Sequence, residues 1–171
     1  MFRKYFIRRF RDSDLDRILG IERKSFGSDA YDRKLFAEYA RTCGGFFLVA
    51  ERGRKIWGYA LTCMCADRSK PAELVSLAVD PEARGTGAAK TLMDSTLRRL
   101  RRRGAARWSL MVKVTNQRAR AFYEEYGFTK TRVVRKYYED GRDGVRMVRE
   151  VSGRKAGGRS QESVVRRRGS T

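Results

Sequence analysis

Arg84, Gly85, Thr86 and Gly87 stand together in PEARGTGAAKTLM, residues 81–93, directly ahead of a run with helical periodicity. Glycine is the costliest ordinary residue to order, so two of them at a helix N-terminus need a reason. The first N–H groups of a helix have no partner within it, and the macrodipole adds partial positive charge there. A glycine loop in front of that terminus lets an anion reach the backbone, and a phosphate is the expected guest. The alternative is a glycine turn with a purely structural role. Other chemistries are narrowed by what the chain lacks. Histidine is absent, and Cys43, Cys63 and Cys65 show no metal-ligand spacing, so neither a histidine-assisted nucleophile nor a metal centre is expected.

Such a loop must be held between a strand and a helix. AELVSLAVD, residues 72–80, is short, apolar and rich in valine and leucine, as suits a buried strand. Ala88, Ala89, Leu92, Met93, Leu97 and Leu100 recur at three-and-four spacing, which predicts a helix with one apolar stripe ending at Gly104. ARWSLMVKV then reads as a second strand. In TNQRARAFYEEYGF, Asn116 suits an N-cap, and Ala119, Phe122, Tyr123 and Tyr126 form the stripe of a short helix closed by Gly127. Two more strands are expected in TKTRVVRKYY and VRMVREV, joined by the charged turn EDGRDG. Near the start, Tyr5 to Arg9 reads as a first strand feeding a capped helix at RDSDLDRILGIE. The result is an α/β domain with a mixed sheet.

The chain has 171 residues, enough for one sizeable core, and no apolar run approaches the roughly 20 residues of a membrane span. Cys63 and Cys65, two apart in YALTCMCA, are expected to share one face of a strand as small buried residues in a reducing cytoplasm. The net charge of +20 predicts attraction to polyanions. Part of it lies in RRLRRRGAAR, residues 98–107. More lies in residues 152–171, SGRKAGGRSQESVVRRRGST, a basic tail with almost no apolar residues that is expected to be disordered outside a folded domain of residues 1–151. The basic face is either simply solvated or turned toward RNA or the ribosome.

With these residues in place, SLAVDPEARGTGAAKTLM resembles the Q/R-x-x-G-x-G/A acetyl-coenzyme A loop of the GCN5-related N-acetyltransferases (GNAT), with Arg84, Gly87 and Ala89 at its fixed positions. TNQRARAFYEEYGF is similar to the family's Asn-x-x-Ala-x-x-Leu/Phe-Tyr-x-x-x-Gly-Phe segment. RKYYEDGRDGVRM most resembles the RimI-like protein N-terminal acetyltransferases. The likeness spans Tyr5 to Val151 and implies a sheet of six to seven strands flanked by about four helices. Its two central strands, here Glu73 to Asp80 and Arg107 to Lys113, would splay to admit acetyl-coenzyme A as co-substrate.

By that resemblance the pantetheine arm lies along Leu77, Ala78 and Val79. The pyrophosphate rests on Arg84, Gly85, Thr86, Gly87, Ala88, Ala89 and Lys90, and Asn116 is a further partner of the arm. Tyr123 matches the family tyrosine that protonates the departing thiolate, although the position also suits a packed helix aromatic. Tyr137 and Tyr138 resemble a pair that grips the acceptor backbone, and strand alternation would send them to opposite faces. RimI-like enzymes often carry a glutamate base where this chain has Met111. Glu73, at the position of a glutamate in histone-type members, is the substitute expected, near the splayed end and partly buried; otherwise it is a solvated charge at a strand end. The acceptor implied is a protein N-terminal α-amine, with a small-molecule amine, a lysine side chain or a non-catalytic RNA-binding role as alternatives.

Overall fold

The computed structural model describes residues 4–151, so the tail at 152–171 lies outside the described residues. Seven strands form one sheet: β1 (Phe6–Arg9), β2 (Phe47–Arg52), β3 (Lys55–Cys63), β4 (Ala72–Val79), β5 (Arg107–Lys113), β6 (Thr129–Val134) and β7 (Gly144–Glu150), in spatial order β1-β2-β3-β4-β5-β7-β6. Neighbours are antiparallel except β4 and β5, which are parallel. The helices are α1 (Leu15–Phe26), α2 (Arg33–Cys43), α3 (Ala88–Arg102) and α4 (Gln117–Glu125).

Alternation along the central strands divides the core between two faces. Phe47, Val49, Tyr59 and Leu61 point to α1 and α2, where they meet Ile18, Ile21 and Phe36. Leu48, Ala50 and Ala60 point the other way, onto Ala88 and Leu92 of α3. Further along α3, Met93, Leu97 and Leu100 pack on Trp108, Leu110, Phe128 and Met147, with the aromatic stripe of α4 at the margin. No helix among the described residues is long and apolar enough to cross a membrane.

The cysteines depart from expectation. Strand β3 stops at Cys63, so Cys65 is exposed beyond it, and Cys63 bonds to Cys43 at the end of α2 as a disulfide. The sequence shows only that Cys63 and Cys65 are two apart; the 20-residue loop that brings Cys43 to Cys63 is a tertiary contact. Thiol titration of the denatured, non-reduced chain should therefore find one thiol, and three after reduction.

Candidate active site

Strands β4 and β5 pair at Ala72 with Trp108, Glu73 with Ser109 and Leu74 with Leu110, and then part. The cause is a β-bulge. The β3–β4 register passes from Thr62 opposite Leu74 to Leu61 opposite Ser76, leaving Val75 unmatched. A bulge bends its strand and increases the local twist, which here turns β4 away from β5. It also reverses the faces. Ala72 and Leu74 belong to the core under α3 and α4, Val75 packs toward α1 and α2, and Leu77 returns to the α3 side. Main-chain groups of residues 75–79 on the edge toward β5 are left without a strand partner, a place where an extended, amide-bearing group can pair.

At the end of β4, the buried Asp80 fixes the entry to the glycine loop. Its Oδ1 accepts the Glu82 N–H at 3.0 Å, and its Oδ2 receives Arg17 Nη2 at 2.8 Å. Burial opposes the charge, but these donors outweigh it and hold the carboxyl below its ordinary range. Gly85 and Gly87 then adopt φ of +76° and +86°, with no heavy atom within 4 Å of where a Cβ would stand. Conformation, not crowding, demands glycine here. The Thr91 N–H reaches Gly87 O at 3.0 Å, whereas the N–H groups of Gly85, Gly87, Ala88, Ala89 and Lys90 find no acceptor among the described residues. Tyr5 and Thr86 join their hydroxyls at 2.7 Å, tying the loop to the start of β1. The loop thus fits a pyrophosphate on an observation of this chain: free donors converge on a helix N-terminus. Gly87→Val forces a β-branched residue into a left-handed conformation and covers those donors. Calorimetry should find acetyl-coenzyme A binding weakened about tenfold or more, with the circular dichroism spectrum intact.

Asn116 caps α4 as expected, its Oδ1 accepting the Ala119 N–H at 3.1 Å, which leaves the amide NH₂ free to donate outward. Tyr123 is wedged between Phe122 and Phe128, with ring centroids 5.4 and 5.8 Å away. Its hydroxyl makes no hydrogen bond among the described residues, and burial, followed by the proximity of Tyr138, drives the phenol well above its ordinary pKa. A neighbour on the same helix has a different part. Tyr126 donates to Asp94 Oδ1 at 2.7 Å and so pins α4 to α3.

Glu73 lies in the paired base of β4, beside both Cys63 and Ser109, not near the parting ends. It is exposed, where partial burial was expected, because it is the second residue of β4, at the end where the strand begins. Alternation still places it on the α1–α2 face, and Met111 of β5 shares that face, opposite to Leu110 and Val112. Met111 packs so closely on Gly144 that a Cβ there would stand 2.6 Å from its methyl group.

Tyr137 and Tyr138 are not on a strand. Strand β6 ends at Val134, Lys136 takes a φ of +49°, and the two rings meet edge to face at 5.0 Å instead of pointing to opposite faces. Burial and then the charge of Glu73 raise the Tyr137 phenol, and burial followed by Glu73 does the same for Tyr39 of α2. Burial, with Tyr39 next, takes Tyr31 to about 12. Glu73 and these tyrosines therefore lie within reach of one another's charge, and the space between the α1–α2 connection and the β6–β7 turn is the candidate acceptor mouth.

A residue invisible to motif reading ties that mouth together. Lys113 Nζ, at the end of β5, binds Asp29 Oδ2 at 2.5 Å and Asp140 Oδ2 at 2.7 Å, bridging the α1–α2 connection to the β6–β7 turn. Both carboxylates hold the ammonium above its ordinary pKa, Asp140 foremost. Asp29 is 84 residues away in sequence, and a lysine ending an apolar strand carries no signal of such a partner.

Comparison with known proteins agrees with this geometry. Residues 13–128 match the model of the acetyltransferase (GNAT) family, and the chain belongs to that family. It is an N-acetyltransferase of the RimI-like kind. An N-alpha-acetyltransferase of Saccharolobus solfataricus is 29% identical over 159 residues, covering 87% of this chain and 95% of that one. Among solved structures, Ard1 from Thermoplasma volcanium superposes with a TM-score of 0.82 at 27% identity, covering 87% of this chain and 99% of the other. The ribosomal-protein-S18-alanine N-acetyltransferase from Escherichia coli gives a TM-score of 0.75, also at 27% identity, over 87% of this chain and 95% of its own.

Proposed function

We propose that this chain transfers an acetyl group from acetyl-coenzyme A to the N-terminal α-amine of a protein, by direct attack within a ternary complex. The observation that carries the reading is the sheet itself: it opens at Val75, with a loop of free N–H donors beyond the end of β4 and with Glu73 and Tyr137 near the start of the opening. Relatives named for N-alpha-acetyltransferase activity, and one named for the alanine of ribosomal protein S18, support the choice of acceptor.

The co-substrate supplies an activated acetyl thioester. Leu77, Ala78 and Val79 offer main-chain groups to its amides, the loop from Arg84 to Lys90 receives its phosphates, and the Asn116 amide donates to the pantetheine arm. Tyr137 and Tyr138 hold the acceptor backbone. Glu73, directly or through a water, takes the proton that the amine must shed to become a nucleophile. Tyr123 gives its phenolic proton to the leaving sulfur. Its raised pKa keeps that proton in place across the neutral range.

In this role the enzyme works in the cytoplasm, on newly made chains, where the Cys43–Cys63 bond would be an exception to the usual reduced state of thiols. Arg98, Arg101, Arg102, Arg103 and Arg107, all exposed around the end of α3, suit approach to the ribosome and its RNA. The test is a comparison of protein N-termini by mass spectrometry with and without this gene in its own cell. A defined set of N-termini should lose acetylation when the chain is removed. An unchanged set, with acetylation lost instead from a lysine side chain or a small amine, would overturn the choice of acceptor.

A further inference from the structure

Three carboxylates are buried among the described residues, and two of them, Asp14 and Asp80, are paired with Arg8 and Arg17. Glu22, on α1, is 1% exposed, and no cation pairs with it among the described residues. Its Oε1 accepts the Tyr31 backbone N–H at 2.9 Å, and its Oε2 accepts the Tyr59 hydroxyl. Since that hydroxyl has one proton to give, Ser76 Oγ, 2.8 Å from it, donates in turn to Tyr59. A continuous chain of hydrogen bonds therefore runs from Ser76, the residue after the bulge in β4, through Tyr59 of β3 and Glu22 of α1, to Tyr31 in the connection before α2.

Burying such a group is costly, and a well-packed apolar residue often serves stability as well or better. Burial pushes the Glu22 carboxyl up, while the Tyr31 N–H and the Tyr59 hydroxyl pull it back. What the carboxyl adds is geometry. Tyr31 belongs to neither a helix nor a strand, yet its ring stands beside those of Phe36 and Tyr39, within reach of the charge of Glu73. The other end of the chain is Ser76, in the strand segment that leaves β5. One buried side chain thus spans the two features that the transfer reaction must keep in register.

We propose that Glu22 is a positioning residue that locks the α1–α2 connection to the bulge of β4, and so fixes the acceptor mouth relative to the opening of the sheet. It touches neither substrate, and it acts through Tyr31, Tyr59 and Ser76. The part of the proposal that concerns the acceptor rests on the function proposed above; the locking itself does not.

The discriminating variants are Glu22→Met, which keeps the volume and removes both acceptors, and Glu22→Gln. The glutamine carbonyl can still accept from Tyr31, while its NH₂ donates to Tyr59, whose own proton then turns to Ser76. In wild type, the Tyr31 amide should exchange slowly with solvent despite lying outside regular structure. Glu22→Met should abolish that protection and raise KM for a peptide acceptor about tenfold, with acetyl-coenzyme A affinity unchanged. Glu22→Gln should restore both. Fast exchange at Tyr31 in the wild-type protein overturns the proposal without any variant or any activity. So does a folded Glu22→Met protein with wild-type protection and wild-type KM. Loss of protection in Glu22→Met, with no turnover even by the wild-type enzyme, would support the lock and count against the proposed reaction.

Discussion

Tyr123→Phe is expected to lower kcat about 10²-fold while leaving acetyl-coenzyme A affinity nearly unchanged. The substitution deletes one oxygen and keeps the ring that packs between Phe122 and Phe128, so the helix and its cap should hold. Because that hydroxyl bonds to nothing among the described residues, its loss breaks no internal contact, and any loss of rate reports on chemistry. The pH profile refines the expectation. Burial raises the phenol, so the acid form persists well past neutrality and the alkaline limb due to Tyr123 lies above its ordinary titration range. The variant should therefore show a lower plateau between pH 6 and 9, with no limb displaced into that range. A variant with wild-type kcat would return Tyr123 to the role of a packed aromatic.

Glu73→Gln should also reduce kcat by roughly 10² if the carboxylate takes the amine proton. Exposure of Glu73 makes the experiment sharper, since the substitution disturbs no core contact and cannot act through the fold. Tyr123→Phe and Glu73→Gln should also combine less than additively if the two groups serve one concerted transfer. Nearly full kcat in Glu73→Gln from pH 6 to 9 would remove Glu73 from the reaction and leave the proton to solvent.

Much of this site is legible in the order of residues, and the reason is locality. The glycine loop, the stripe of α3, the Asn116 cap and the apolar run of β5 are each decided within one or two turns of chain, where periodicity and capping rules apply. The bulge is different. Val75 reads as one more apolar strand residue, and only its mismatch with Leu61 and Thr62 reveals that the strand turns. Tyr137 and Tyr138 look like strand residues because they close a run rich in β-branched and aromatic types, but the strand stops at Val134 and Lys136 takes a positive φ. The Cys43–Cys63 bond and the Lys113 clamp join residues far apart in sequence, and nothing local foretells them. Glu22 did leave a trace: it falls four residues after Ile18, on the buried stripe of α1, where a carboxylate is out of place.

Transfer to an α-amine is the function proposed for the opened sheet. It is tested most directly by one peptide carrying both a free N-terminal amine and an internal lysine, incubated with acetyl-coenzyme A and this enzyme and sequenced by tandem mass spectrometry. A single acetyl group is expected on the N-terminal nitrogen, with one thiol released for each acetyl transferred. An acetyl group on the lysine Nζ, or no transfer from an enzyme that binds acetyl-coenzyme A, would contradict it.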